Sequence, residues 1–457
     1  MNMGCSASTS ARPSSDADEK VRQVAAAPVG NAETEKTRRA KELGINASAV
    51  SAASGALAVA ARSDLAASSV RIFQFNVLAD GLSGDGFLVR DVLDPPVDAS
   101  SELESTLMQM DEAKRSGGEA LEALKQQLCT ARAEQNHKAV TDWGRRWAHI
   151  KELIAHAQPD VICLQEFDHM ADAGMELEQL GYSCTLPNAS SYQPAHAVPI
   201  RGQDDLSAYT EHLNQQGRAF APSVPSSARK IALEKNPDAD DDGVAIFWRS
   251  AAFACDAIDF HVSGLAKGCS ASVRASLTRV SDGKAFYVLT SHLPSGDDAA
   301  KEAKRLGELT SAGAGGGAGL ADFFAASVAA KPTIYCLDAN SSPERTEDQT
   351  VWKTLRGVSG AQSVWDADYA PDGVVLATPP PVSTNKMRGP LSQQASKVGL
   401  HAYYLIDHVY YSQPFKFVRH ALPPLRYESK ESARTQLLPS LAVPSDHAPV
   451  IVDFELP

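Results

Sequence analysis

Six polar clusters of this sequence lie beside apolar runs, where the ends of predicted strands would place them. One of them, Ser445-Asp446-His447, leads into the apolar run 450–454. The other five are Asn76, Glu166, His292, Asp338 with Asn340, and Asp407 with His408. Carboxylates, amides and imidazoles of this kind can bind Mg²⁺ and assist the hydrolysis of a phosphate ester. If the strands bring the clusters together, the sequence predicts a site for that chemistry.

Taken one at a time, the clusters also have simpler interpretations. Asn76 interrupts a strand-forming run, which either a satisfied side-chain hydrogen bond or an amide oxygen aimed at a metal would explain. Glu166 directly follows a buried strand, so its charge should be paired or metal-bound. Asp338 and Asn340 are two residues apart at a strand end, where one can orient a water and the other can bind a phosphate oxygen. Both residue types are also common in turns.

Apolar periodicity predicts the elements that position these groups. Residues 70–78 alternate between apolar and polar, as in a half-buried strand. Residues 143–157 carry one apolar stripe, which predicts an amphipathic helix, and 161–164 is apolar throughout, as in a strand buried on both faces. Further strands are predicted at 243–249, 271–280, 285–291, 333–337, 405–411 and 449–455.

Strands and helices mix along the chain, which predicts an α/β fold with a sheet core covered by helices. We expect one domain over 70–457, with a helical insertion at 98–135, where leucines recur at helical spacing. Residues 1–69 are rich in Ala, Ser and charge and contain no aromatic residue, which predicts a disordered tail. Within that tail, 47–61 is rich in Ala and Val and can form a short helix.

The composition narrows the class of protein. The chain has 457 residues and a formal net charge of −13, which argues against a non-specific nucleic-acid coat protein. No uninterrupted apolar run is long enough to span a membrane. The seven cysteines form no Cys-x-x-Cys pair, and Cys163 and Cys336 lie inside apolar strands as small hydrophobic residues. These features fit a cytoplasmic protein in a reducing compartment.

A short N-terminal motif provides an alternative localisation. Met3-Gly4-Cys5-Ser6 matches an N-myristoylation pattern with an adjacent cysteine that could be palmitoylated, provided that translation starts at Met3. Acylation at Gly4 and Cys5 would attach the protein to a membrane. A plain tail is the favoured interpretation.

The clusters, in this order, resemble the endonuclease/exonuclease/phosphatase superfamily. The resemblance extends over 70–457 and is greatest to the deadenylase-like branch, which includes the carbon catabolite repressor deadenylases, Angel and nocturnin. It rests on "FNVLAD" at 75–80, "WGRRWAHIKELI" at 143–154, "PDVICLQEFDH" at 159–169, "DGVAIFWR" at 242–249, "TSHL" at 290–293, "DANSSP" at 338–343, "KMRG" at 386–389, "YLIDHVYYS" at 404–412 and "SDHAP" at 445–449.

The resemblance implies a fold and a cofactor. The fold would be a four-layer α/β sandwich, in which two mixed β-sheets lie face to face and helices flank them. The cofactor would be Mg²⁺, for which Mn²⁺ can substitute. Asn76 and Glu166 would bind the metal, and Asp446 would serve a second metal position.

The resemblance also implies roles in catalysis. Asp338 would orient or deprotonate the attacking water, and Asn340 would donate to a phosphate oxygen. His292 would contact the scissile phosphate near the leaving group, and Asp407 would orient His447. A charged imidazole aimed at the phosphate would stabilise the transition state.

The implied activity is 3′-to-5′ exoribonuclease action with a preference for poly(A), so the partner would be an RNA 3′ end or a nucleotide. A nocturnin-like phosphatase that removes the 2′-phosphate of NADP(H) is one alternative, and a catalytically inactive binding protein is another. The chain departs from the branch at Ala339, where Phe is usual, and at Pro294, where Lys is common. It also lacks a leucine-rich domain, so docking to a large deadenylase assembly is not implied.

Overall fold

The computed structural model describes residues 37–54, 57–66, 68–93, 112, 131–169, 173–185, 221–222, 243–262, 271–310, 319–345, 349–392 and 394–456. The acylation motif at 3–6 lies outside these residues, as does most of the predicted insertion 98–135. Both therefore stay predictions.

The first β-sheet is built around two parallel central strands. It contains β1 (Ser69–Asn76), β2 (Val161–Gln165), β3 (Tyr182–Cys184), β4 (Ala221–Pro222), β5 (Gly243–Arg249), β15 (Lys416–His420) and β17 (Val450–Glu455). Their order is β15-β17-β1-β2-β5-β3, and β4 also pairs with β5. Only β1 and β2 run parallel among these described strands, so the sheet is mixed.

The second sheet repeats this plan. It contains β6 (Phe253–Val262), β7 (Ala271–Arg279), β8 (Ala285–His292), β9 (Thr333–Asp338), β10 (Ala361–Ser363) and β14 (Asp407–Ser412). The order is β10-β14-β9-β8-β7-β6, and β8 and β9 run parallel. Two small pairs complete the strands: β11 (Pro381–Val382) with β16 (Leu425–Arg426), and β12 (Thr384–Met387) with β13 (His401–Tyr404).

The two sheets pack against each other through one hydrophobic cluster. Ile72, Cys163 and Ile246 of the first sheet share it with Val288 and Cys336 of the second, and all five are fully buried. The two cysteines therefore lie in the core, as the sequence predicts. On its other face, the first sheet packs against α3 (Trp143–Ala157) and α4 (Ala173–Gln179). Helices α5 (Ala299–Thr310), α6 (Leu320–Ala330) and α7 (Gln349–Arg356) join the cluster beside the second sheet. The predicted fold, two mixed sheets face to face with flanking helices, is confirmed.

Strand β1 differs from its prediction in burial. All eight residues are buried, whereas alternation predicted a half-buried strand. Phe73 and Phe75 pack toward α3, while Ile72 packs toward the second sheet. Because side chains alternate along a strand, Gln74 and Asn76 share the Ile72 face, although both are polar. These two polar residues therefore enter the layer between the sheets.

Part of the predicted N-terminal tail packs on the domain. Residues 37–42 are helical, α1 spans Ala47–Ser54, and the buried residues Ala40, Ile45 and Ala53 share a cluster with Val140. Val140 belongs to α2 (Ala131–Thr141), which precedes α3. The short helix predicted within 47–61 is therefore present, and residues 37–54 contribute to a hydrophobic cluster. The domain boundary at residue 70 stays a prediction. The last helix, α8, spans Lys430–Arg434.

A buried ion pair joins the first sheet to α3. Arg71 and Asp453 are both fully buried, and Arg71 Nε and Nη2 donate to the two oxygens of Asp453 at 2.7 and 3.0 Å. Arg71 Nη1 also donates to the carbonyl of Ala157 at 2.8 Å, at the end of α3. The guanidinium thus connects β1, β17 and the helix that covers them.

We expect Arg71→Met to lower the free energy of unfolding by about 3–5 kcal/mol, because among the described residues it leaves the buried Asp453 with the partly exposed Arg419 as its remaining ion-pair partner. Urea denaturation followed by circular dichroism measures this. Arg38→Met is the control: Arg38 pairs with Glu42 on the surface, with 62% of its side chain exposed, and should change stability by less than about 0.5 kcal/mol. Equal losses in the two variants would contradict a structural role for the buried pair.

Candidate active site

The register of the strands brings the predicted site residues to one edge of the two sheets. In the second sheet, Asp338 at the end of β9 is opposite His292 of the parallel β8 and Asp407 of the antiparallel β14. In the first sheet, Asn76 at the end of β1 is opposite Gln165 of β2, so Glu166 comes next. Hydrogen bonds between the sheets then join the two sets of side chains.

Asn76 connects the two carboxylates of the site. Its Nδ2 donates to Glu166 Oε1 at 3.0 Å and to Asp338 Oδ2 at 2.8 Å. Its Oδ1 accepts from the backbone N–H of Leu78 at 3.0 Å. In this arrangement the amide nitrogen, and not the oxygen, faces the carboxylates. The predicted metal-ligand role of Asn76 stays a prediction.

His292 and Asn340 lie on the other side of Asp338. His292 Nε2 is 3.4 Å from Asp338 Oδ2 and 3.7 Å from Glu166 Oε1. Asn340 Nδ2 lies 3.0 Å from the same His292 nitrogen and donates to the carbonyl of Leu293 at 2.9 Å. The backbone N–H of Asn340 donates to Asp338 Oδ1 at 2.9 Å. Five of the predicted residues therefore form one contiguous cluster.

Left-handed backbone conformations place three of these groups. Glu166, Asn340 and Leu78 have φ values of 51°, 48° and 58°. Non-glycine residues adopt this conformation at a cost, and such positions concentrate at functional sites. Each turn ends a strand at the site: Glu166 follows β2, Asn340 follows β9, and Leu78 follows β1. The left-handed turns thus place Glu166 and Asn340 beside Asp338, and the turn at Leu78 presents the N–H that binds the Asn76 amide.

Asp407 and His447 form a buried pair next to Asp338. Asp407 Oδ2 lies 2.7 Å from His447 Nδ1, and His447 Nε2 is 3.8 Å from Asp338 Oδ2. Gln74, from the first sheet, donates to Asp407 Oδ1 at 2.9 Å. Both oxygens of Asp407 are therefore used, and Nε2 of His447 is directed toward Asp338. The predicted role of Asp407 in orienting His447 stays a prediction.

The charges of this pair follow from its surroundings. Burial alone would lower the pKa of His447, but the negative charges of Asp407, Asp338 and Asp446 raise it to about 10. Burial would raise the pKa of Asp407, and His447 together with hydrogen bonds from Ser383 and Gln74 lowers it instead. A raised histidine pKa contributes stability below about pH 6.5 that is lost as the pH rises through about 10. The imidazolium therefore persists at neutral pH.

The donor set around Glu166 fits a divalent cation. The ligand atoms of Glu166, His292 and Asp338 all lie within 4.8 Å of one another. Among the described residues, no Lys or Arg forms an ion pair with Glu166 or Asp338, so two neighbouring carboxylates lack a full positive counter-charge from such a side chain. Carboxylate oxygens are the ligands that Mg²⁺ prefers. Asp338, Asp407 and His447 form a second group of this size, but Asp407 is already bonded through both oxygens.

Asp446 lies apart from these two groups. Its Oδ2 accepts from Lys386 Nζ, and its backbone carbonyl accepts from Thr384 Oγ1 at 2.8 Å. The structure thus places this predicted second-metal ligand in an ion pair with a lysine.

Sequence reasoning missed four residues that support the site. Gln74 and Ser383 hold Asp407, Ser445 Oγ donates to the carbonyl of Asn76 at 2.7 Å, and Lys386 pairs with Asp446. Lys386 falls within the phrase "KMRG" and Ser445 within "SDHAP", so the resemblance marked both positions without a role. The polar residue Gln74 in the middle of an apolar strand was the one signal for its function.

Comparison with known families decides the assignment. The sequence profile described as "Endonuclease/Exonuclease/phosphatase family" matches residues 136–447. The chain belongs to this family. The predicted family is thereby confirmed, and the protein is a hydrolase that acts on phosphate ester bonds. Enzymes of this family generally depend on a divalent metal, in agreement with the donor set around Glu166.

Solved structures resemble the chain at low sequence identity. The human Nocturnin catalytic domain with bound sulfate is 19% identical, over 84% of this chain and 93% of its own, with a TM-score of 0.46. ANGEL2, a 2′,3′-cyclic phosphatase in complex with adenosine-2′,3′-vanadate, is 16% identical, over 85% and 96%, with a TM-score of 0.48. A family protein from Bacteroides vulgatus is 11% identical, over 85% and 99%, with a TM-score of 0.42. No curated protein matches the sequence significantly.

None of the helices in the described part of the chain combines the length and the apolar character needed to cross a membrane.

The buried pair predicts the behaviour of Asp407→Asn in this phosphoesterase. The amide keeps the shape but removes the charge that holds His447 protonated, so burial should lower the histidine pKa. We expect kcat to fall by about 10²- to 10⁴-fold and the alkaline limit of activity to move to lower pH.

Initial rates across pH measure both effects. Asp372→Asn, at an exposed carboxylate, is the control and should leave the profile unchanged. An Asp407→Asn enzyme with wild-type kcat and an unmoved alkaline limit would remove the pair from the mechanism.

Proposed function

We propose that this protein is a Mg²⁺-dependent phosphoesterase that shortens RNA from its 3′ end, with a preference for poly(A). The observation that carries the chemistry is the cluster of Glu166, His292 and Asp338 beside the Asp407–His447 pair. The choice of RNA rests on the deadenylase-like phrases that extend over 70–457. Both parts can be tested separately.

The proposed mechanism is water attack in line with the bond that breaks. Glu166 would hold the metal, with Asn76, His292 and Asp338 beside it, and the metal would supply positive charge to the phosphate when bound. Asp338 accepts the proton of the attacking water, so a new P–O bond forms as the ester bond to the leaving oxygen breaks. Asn340 Nδ2 donates to a phosphate oxygen, and charged His447 stabilises the charge that develops on the phosphoryl group.

His292 serves the leaving group in this proposal. Its Nε2 lies between Asn340 Nδ2, Asp338 and Glu166, so it faces the centre of the cluster. From there it can stabilise the leaving oxygen or donate a proton to it. The roles of Asp338, His292 and Asn340 rest on their geometry and on the family resemblance.

A specific observation also favours the second candidate, removal of the 2′-phosphate of NADP(H). Ala339, where the deadenylase-like branch usually has Phe, is fully buried with 0% exposure. This position therefore offers no surface on which an RNA base could stack. A phosphatase needs the same phosphate chemistry but depends less on stacking successive bases.

The deciding experiment offers poly(A) RNA and NADPH side by side to the full chain with Mg²⁺. Shortened RNA with released AMP supports the leading proposal, and inorganic phosphate from NADPH supports the second. Poly(U) and NADH, which lacks the 2′-phosphate, are the matched substrate controls. Turnover of neither substrate, with Mg²⁺ or Mn²⁺ present, would favour the inactive binding protein instead.

Glu166→Gln tests metal dependence directly. The change is nearly isosteric but removes a charge that faces the cation, so we expect loss of Mg²⁺-dependent turnover with the melting temperature retained. Glu428→Gln, at an exposed carboxylate, is the matched control. Activity that is unchanged at saturating Mg²⁺ would show that Glu166 is no metal ligand.

Cytoplasmic localisation belongs to the same proposal. The alternative is attachment to a membrane through acylation at Gly4 and Cys5. Mass spectrometry of the native N-terminus distinguishes the acylated from the unmodified protein. An acylated Gly4 would place the enzyme at a membrane.

A further inference from the structure

Asp446 is a buried carboxylate with a lysine as its direct partner. Only 5% of its side chain is exposed, and Lys386 Nζ contacts Oδ2 directly. Its other oxygen, Oδ1, lies 3.4 Å from the hydroxyl oxygen of Ser445, whose single proton is donated to the carbonyl of Asn76 at 2.7 Å. An uncompensated charge at this depth would be strongly unfavourable. The ammonium of Lys386 therefore does what a bound cation would do here.

Strand β12 fixes Lys386 in this position. Thr384 and Lys386 are two residues apart and lie on one face of the strand, and both contact Asp446, through its backbone carbonyl and its carboxylate respectively. Asn385, on the opposite face, donates to the carbonyls of Ala433 and Gln436 at 2.8 and 3.0 Å. The strand is thus anchored on both faces, which places the Cα of Lys386 within reach of Asp446.

Among the described residues, one other group next to Asp446 has the spacing of a metal site, that of Asp338, Asp407 and His447. Both oxygens of Asp407 are bonded, one to Gln74 and one to His447. The guanidinium of Arg146 is a second buried cation near Asp446, since its Nη1 lies 3.4 Å from the carbonyl of Pro444. A divalent ion placed at Asp446 would have to displace Lys386 and approach the charge of Arg146.

We propose that the ammonium of Lys386 occupies the position of a second metal, so that this enzyme binds a single divalent cation, at Glu166 and Asp338. Asp446 is then a partner of Lys386 and no metal ligand. This inference rests on the metal dependence in the proposed function, and it replaces the expected role of Asp446. According to this inference, Lys386 is the reason why a second metal does not bind.

The test counts bound metal and does not depend on activity. Mn²⁺ alone is titrated into the full-length protein by isothermal titration calorimetry, and electron paramagnetic resonance measures the free Mn²⁺. We expect one bound Mn²⁺ for the wild type and for Asp446→Asn, with affinities equal within about twofold. Lys386→Met should expose the Asp446 carboxylate and bind two Mn²⁺, and Lys386→Met combined with Asp446→Asn should return to one.

Two variants control this comparison. Lys386→Arg keeps the positive charge and should still bind one Mn²⁺, and Lys416→Met removes an exposed lysine of β15 and should also bind one. Thermal melting identifies variants that fold. If Lys386→Met does not fold, the number of Mn²⁺ ions bound by the wild type is compared with the number bound by Asp446→Asn.

The outcomes separate this inference from the proposed function. Two Mn²⁺ in the wild type and one in Asp446→Asn would overturn the role of Lys386 and leave the phosphoesterase proposal standing. One Mn²⁺ in a folded Lys386→Met would equally contradict it. No binding to the wild type would overturn both this inference and the proposed metal dependence.

Discussion

The site depends on four carboxylates that are buried at the edge between two sheets and must each be compensated there. Asp338 and Asp407 have no exposed surface, and Asp446 and Glu166 have little. Since an unpaired buried charge is strongly unfavourable, each carboxylate needs hydrogen-bond or ion-pair partners around it. Asp407 has His447 and Gln74, Asp446 has Lys386, and Asp338 has Asn76 and the N–H of Asn340. Glu166 has hydrogen bonds from the amide of Asn76 and the backbone N–H of Ala79 and a histidine 3.7 Å away, so its partners are weaker, in agreement with its proposed role as a metal ligand.

A buried arginine connects the segments that carry these groups. Arg146 of α3 is fully buried, and its Nη1 donates to the carbonyls of Val77 and Leu78 at 2.7 and 2.9 Å. The same nitrogen lies 3.4 Å from the carbonyl of Pro444, just before the segment with Asp446 and His447. The turn at Leu78 in turn holds the amide of Asn76 through its N–H. A helix on the outer face of the first sheet is thus linked to the site, because its arginine binds backbone carbonyls of the segments that carry the site residues. This contact explains why Arg146 is buried although it is charged.

The sequence predicted those features that depend on local pattern. Strand ends were visible because apolar runs stop at polar residues, and the α3 helix was visible from its apolar stripe. The structure adds its N-cap, Asp142, whose side chain accepts from the N–H of Arg145. Strand β6 was missed, because its alternation includes Asp256, Asp259 and His261 and gives no continuous apolar face. The partners of the catalytic groups were also missed. Gln74 and Asp407 are 333 residues apart, and Lys386 and Asp446 are 60 apart, so only tertiary packing brings them together. The orientation of the Asn76 amide likewise depends on the left-handed turn at Leu78. Residue propensities do not predict such a turn at a leucine.

The charge balance of the site explains how an acidic protein can accept a phosphate. The chain has a net charge of −13, which repels polyanions at long range. Near the site, however, positive groups are held close to the strand ends. His447 is charged, Lys386 pairs with Asp446, and the guanidinium of Arg345 lies 4.8 Å from the ring of Tyr404 and donates to the carbonyl of Asp297. Arg345 follows β9 along the chain, Asp297 follows β8, and Tyr404 ends β13, so this arginine connects the segments after β8 and β9 to that strand. Since His447 and Lys386 are each paired with a carboxylate, the charge left over at the site is that of Glu166 and Asp338. A divalent cation bound beside them would neutralise that charge and attract a phosphate at short range, where salt screens the interaction least.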